Sequence, residues 1–166
     1  MLDTNVTDRD YGGFTLEDEI AFVREATATC GAERLCFLVG HHPPATLLGG
    51  APRKAPPYAA RITQLVSAAG GRARAFFGGH EHTLQHLSVD GLDVFISGST
   101  AMGSFRSFTI RWPARAQVRF ASSAWGYAVL EADERGYRIE FVDTSGAVLH
   151  CCEAGATGPC RPVSCG

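Results

Sequence analysis

The sequence predicts an α/β fold, and the expectation rests on two short apolar runs and the helical pattern between them. Leu35 to Val39 is five apolar residues without a polar break, and Arg74 to Phe77 forms a second short run that ends on Gly78 and Gly79. Continuous runs of this kind mark strands buried on both faces, which is the condition of a parallel sheet. Between them Tyr58, Ile62, Leu65, Val66 and Ala69 recur on one helical face, supplying the crossover that parallel strands require.

The first helix is predicted over about residues 16–29. Thr15 and Asp18 make a capping-box signature, and Leu16, Ile20 and Val23 follow at helical spacing until Cys30 and Gly31. A loop rich in Pro and Gly follows the first strand, with Pro43, Pro44, Gly49, Gly50, Pro52 and Pro56. Pro57 can open the second helix, and Gly70 and Gly71 stop it. Beyond the second strand the texture changes to hairpins. Leu84 to Val89 and Leu92 to Ile96 flank Asp90-Gly91, a strong short-range turn signal. Further strands are read at Phe105 to Ile110, Val118 to Ala121, Trp125 to Glu131 and Tyr137 to Val142, and these look antiparallel. The reading divides the chain into a domain over 1–149 and a Cys/Gly/Pro-rich tail over 150–166.

At 166 residues, with 45% hydrophobic and 19% charged side chains, the chain can bury one sizeable core. Its 15 basic and 17 acidic residues leave no electrostatic footprint for nucleic acid or an anionic membrane. No stretch approaches the roughly 18 apolar residues of a membrane span. Of the six cysteines, Cys30 and Cys36 read as small hydrophobes at a helix end and in a buried strand. Cys151, Cys152, Cys160 and Cys165, spaced C-C-x7-C-x4-C, leave disulfides, an inert tail and a structural metal site all open. A secreted or lumenal location is slightly favoured.

Five of the six histidines lie between positions 41 and 86. His41 and His42 follow the first apolar run, and His80 and His82 follow the second. Parallel strands joined by one crossover place their carboxyl ends on one sheet edge, where ligand sites of open α/β sheets form. That puts His41, His80 and His82 near a common pocket as candidate metal ligands, since imidazole is a common neutral ligand. His86 and His150 read instead as satisfied, partly buried polar residues. A Ser99 and Asp143 hydrolase reading fails for want of a G-x-S-x-G elbow.

Val39-Gly40-His41-His42-Pro43 and Gly78-Gly79-His80-Glu81-His82-Thr83-Leu84-Gln85 resemble the last two motifs of the calcineurin-like metallophosphoesterases, most closely the purple or tartrate-resistant acid phosphatase branch. Leu2-Asp3-Thr4 and Ile96-Ser97-Gly98-Ser99 are similar to flanking segments of that branch. The resemblance covers roughly residues 1–145. It implies a layered β-sandwich flanked by helices, of which this chain is an incomplete C-terminal half. It also implies a phosphate-ester substrate and two metal ions, Fe, Zn or Mn, in the complete site. His41 and His80 would bind one ion and His82 the other, His42 would face substrate, and the loop from Pro43 to Pro57 would line the substrate side. The remaining ligands of the family lie in upstream motifs absent here, and Gly50 stands where many relatives place a further His. Three imidazoles carry no negative charge to balance two divalent ions, so this chain alone is expected to do little hydrolysis. Two other readings stand beside this one. One is a mononuclear three-histidine zinc hydrolase, and the other is a non-catalytic, truncated relative that acts as a binding or interaction domain.

Overall fold

The structure is a computed structural model that describes residues 1–7, 9, 13–31, 34–48, 56–99 and 110–166. A short 3-10 turn, Thr4–Thr7, precedes the first helix, α1, Leu16–Ala26. Strands β1 (Phe37–Val39) and β2 (Thr46–Leu48) lead to helix α2, Ala59–Ser67. Strands β3 (Ala75–Gly78), β4 (Leu84–Val89), β5 (Leu92–Ser97), β6 (Ile110–Trp112) and β7 (Gln117–Ser122) follow. The chain closes with β8 (Gly126–Asp133), β9 (Gly136–Asp143), β10 (Val148–Gly155) and β11 (Arg161–Val163).

The strands form three sheets: β1-β3-β5-β4-β7, β11-β10-β9-β8, and the pair β2-β6. Only β1, β3 and β5 run parallel, with Leu38 opposite Phe76 and Phe76 opposite Val94. The other named pairings are antiparallel. The α/β class with helices flanking the layers is therefore corrected. Among the described residues two helices stand against eleven strands, and β8 to β11 build a four-stranded sheet of their own. The apolar runs correctly mark burial on both faces, but half of that burial comes from a second sheet and not from a second layer of helices.

Alternation along the five-stranded sheet shows how this works, because successive side chains on a strand point to opposite faces. Phe76, Val94 and Ile96 join Leu38, Val6, Val23, Ile62 and Leu65 in a core beneath the helices. Ala75 and Phe95 point the other way, into a second core with Tyr137, Ile139, Phe141 and Cys152.

Local signals set most of the elements. Thr15 and Asp18 complete the capping box that starts α1. The helix stops at Ala26, three residues short of the expected end. The Thr27 hydroxyl folds back on the Val23 carbonyl there, and Cys30 is bonded to Cys36. Asp90 and Gly91 both adopt positive φ, 52° and 83°, as the tight β4–β5 turn demands.

Two segments depart from expectation. Within the Pro/Gly-rich loop β2 forms by pairing with β6, and the Gln85 side chain binds its Leu47: Leu47 N–H donates to Oε1 at 2.7 Å, and Nε2 donates to the Leu47 carbonyl at 3.0 Å. The expected tail over 150–166 is largely β10 and β11, and its boundary falls inside β10. Cys151 pairs with Cys165 and Cys152 with Cys160, and all six cysteines are disulfide-bonded. Cys30 and Cys36 are thus a bridge and not packed thiols. Of the strand expected over 105–110, only Ile110 lies within the described residues, as do only the flanks of the Pro43 to Pro57 loop.

Candidate functional site

The carboxyl ends of β1 and β3 carry the loops that hold His41, His42 and His80. Pairing between the two strands continues past their ends, for Gly40 N–H donates to the Phe77 carbonyl and Gly79 N–H to the His41 carbonyl, both at 3.0 Å. Buried Thr4 fixes the first loop. Its hydroxyl oxygen accepts the backbone N–H groups of His41 and His42, each at 2.9 Å. A side chain at position 40 would overlap the Thr4 methyl group, so the close approach requires glycine. The second loop turns through His80 at φ 65° and is held down by Gly98, where any Cβ would overlap the Glu81 carbonyl.

Three imidazoles meet as a result. His80 Nδ1 lies 3.2 Å from His41 Nε2, and the His42 ring centre is 4.6 Å from that of His80. One donor atom from each of the three lies within 4.8 Å of the others. His42 is buried while His41 and His80 reach solvent, and Tyr58 packs against His42 and His80 from α2. The structure thus brings His41 and His80 together as expected, adds His42 to them, and leaves His82 out of the group. The backbone between His80 and His82 is not extended, since His80 has φ 65° and Glu81 N–H bonds to the Gly79 carbonyl.

Three imidazole donors this close together fit one zinc-like ion. Among the described residues the group contains no carboxylate to bridge a pair of cations or balance their charge.

A second polar cluster lies between the two large sheets, where sequence reasoning saw only satisfied histidines. His86 on β4 is fully buried, with Nδ1 3.0 Å from His150 Nε2 and Nε2 3.3 Å from Asp93 Oδ1. Asp93 also accepts the Tyr137 hydroxyl at 3.3 Å and the Cys160 backbone N–H at 2.6 Å. Burial, reinforced by the Asp93 carboxylate, pushes the Tyr137 phenol above its ordinary range. The one sequence signal was Asp93 itself, a carboxylate two residues from Phe95 and so on the same inward face of an apolar strand.

Burial, with His86 adding to it, pushes the partly buried His150 down to about 4. Below the ordinary histidine range the unfolded chain therefore takes up a proton that the folded chain refuses. With its disulfides intact the protein is expected to hold this contribution above pH 6.5 and lose it as pH falls toward 4, by about 2 kcal/mol after allowance for partial exposure. Urea midpoints measured across that range check this, and His150→Phe, which keeps the stack on Phe120, flattens the profile.

No family model matches the sequence, and no curated protein matches it. Among solved structures the chain is similar to GAP50, described as the anchor in the inner membrane complex of Plasmodium, with a TM-score of 0.65 and 18% sequence identity. The match covers 95% of this chain and 48% of that one, so the chain spans about half the length of the structure it resembles. At that identity the likeness concerns the fold alone. The resemblance to metallophosphoesterases is corrected accordingly: no family model supports it, and a solved structure that matches is described as an anchor. The phosphatase and hydrolase reading goes with it. No helix among the described residues is long and apolar enough to cross a membrane. Three disulfides fit a non-cytosolic, oxidising compartment.

Proposed function

We propose that this chain is a non-catalytic interaction domain of a secreted or lumenal protein, which takes a strand from a polypeptide partner along the outer edge of β1. One observation carries the proposal. β1 is the terminal strand of the five-stranded sheet, and among the described residues β3 is its sole strand partner. Parallel strands are normally covered on both sides, and an unpaired edge is a template for another chain. Leu2 N–H, bonded to the Val39 carbonyl at 2.7 Å, already begins such pairing at one end.

The flank of this edge is apolar. A cavity of about 180 Å³ is lined by Leu2, Phe22, Val23, Phe37 and Val39, of which Phe22 is 47% and Val39 41% exposed. Backbone hydrogen bonds along the edge would supply affinity, and the cavity would select an apolar side chain, the usual division of labour in strand addition. The anchor role printed for the matched structure agrees with this reading. His41 and His42 sit at the carboxyl end of the same strand and His80 at that of neighbouring β3, where the three would hold a single divalent ion that braces the loop tips. Zinc should raise the unfolding temperature of the chain, and His80→Ala should abolish the rise.

The test is a photo-crosslinking residue at Phe22, expressed in secretory cells. A discrete adduct with one polypeptide, absent when the crosslinker is at exposed Glu134 and lost in a Val39→Lys background, is the expected result. Equal labelling from both positions would overturn the docking edge. Turnover of an aryl phosphate that His80→Ala abolishes would overturn the non-catalytic reading.

A further inference from the structure

The interior cluster described above sets two imidazoles beside the Cys152–Cys160 disulfide. We propose that Cys152, Cys160, His86 and His150 form a zinc site of two thiolates and two imidazoles, which the Cys152–Cys160 bond masks and a reductant uncovers. The geometry is nearly made. His86 Nδ1, His150 Nε2 and the Cys152 sulfur lie within 4.8 Å of one another, and the Cys160 sulfur is covalently joined to that of Cys152. Two imidazole nitrogens on one tetrahedral zinc stand about 3.3 Å apart, given Zn–N bonds of about 2.0 to 2.1 Å. The two nitrogens here are 3.0 Å apart.

The surroundings suit an ion as well. His86 turns its other nitrogen, Nε2, to Asp93 Oδ1 at 3.3 Å, the carboxylate partner that sets tautomer and ring orientation in metal-bound histidines. The same carboxylate accepts the Cys160 N–H, so it fixes ligands from β4 and from the segment entering β11. The cysteines and His86 are buried, which excludes competing water ligands. Strands β4, β10 and β11 would then be clamped by one ion in place of one bond.

The chemistry balances. A phosphine reductant gives two electrons to the disulfide and leaves as its phosphine oxide with an oxygen from water, while two protons from water complete the two thiols. Zinc displaces those two protons on binding, so the site takes up a dication as a dithiolate and carries no net charge. In an oxidising compartment the bond persists and the site stays shut.

Cobalt(II) titration of the full chain is the test, since tetrahedral thiolate-bound cobalt has intense ligand-field and sulfur charge-transfer bands. One thiolate-bound cobalt per chain, counted by its sulfur charge-transfer bands, is expected after phosphine reduction and none before it, whatever cobalt the solvent-facing histidines take up. His86→Ala and the Cys152→Ser/Cys160→Ser pair should abolish the bands. Cys165→Ala and His80→Ala should leave them, which separates this site from the solvent-facing histidines. Asp93→Asn, which retains all four ligands, should keep the bands while weakening affinity about 10- to 100-fold. Circular dichroism confirms that each variant is folded before titration. Bands of equal strength in the oxidised protein, their absence in the reduced wild type, or their survival in folded His86→Ala would overturn the proposal.

Discussion

Asp93→Ala is expected to lower the stability of the oxidised protein by about 3–5 kcal/mol, because it leaves a buried set of donors without their acceptor. The carboxylate is 1% exposed and faces His86 Nε2, the Tyr137 hydroxyl and the Cys160 N–H. These groups come from β4, β9 and the approach to β11, so a single side chain ties three parts of the second core together. Removing it creates a small void and strands the three donors away from water. Urea unfolding read by intrinsic fluorescence measures the loss as a shift in midpoint at constant slope. Asp93→Asn, which keeps one acceptor oxygen, should cost less. A shift below about 1 kcal/mol for the alanine variant would show that the cluster contributes no more than its packing.

Phe95→Ala should cost a similar amount, about 3–5 kcal/mol, for a different reason. Phe95 is 1% exposed and lies where the two large sheets face each other. Its ring stacks on Phe77 at 5.3 Å and on His86 at 4.5 Å, and meets the ring of Phe141 at 6.4 Å. Neighbours from both sheets border the resulting cavity, and rigid strands cannot close it. Phe120 lies on the terminal strand β7 and is only partly buried, so Phe120→Ala should cost about half as much. Equal losses at the two positions would show that the sheets repack around the deleted ring.

Local chemistry made much of the fold legible. The capping box at Thr15 and Asp18, the helical face from Tyr58 to Ala69, the two apolar runs and the Asp90-Gly91 turn all express interactions within a few residues of the chain. Elements whose partners lie far away were not legible. The strand β2 depends on β6 and on the side chain of Gln85, 38 positions from Leu47. In the same way β10 and β11 depend on β9 and on two disulfides, so their glycines and cysteines read as a Cys/Gly/Pro-rich tail. The fold class departs from the sequence expectation for a related reason. A continuous apolar run reports that both faces are covered, and it is silent on whether a helix or another sheet covers them.

The histidine cluster divides along the same line. That His41 and His80 would meet followed from two strands, one crossover and the shared sheet edge, all of which the pattern of residues determines. That His42 would join them and His82 would not was decided by the hydroxyl of Thr4, which gathers the N–H groups of His41 and His42, and by the left-handed turn at His80 beneath Gly98. Sequence periodicity settles which elements form because it records short-range backbone preferences. Which side chains finally touch is settled by contacts across tens of residues, and only the folded chain supplies them.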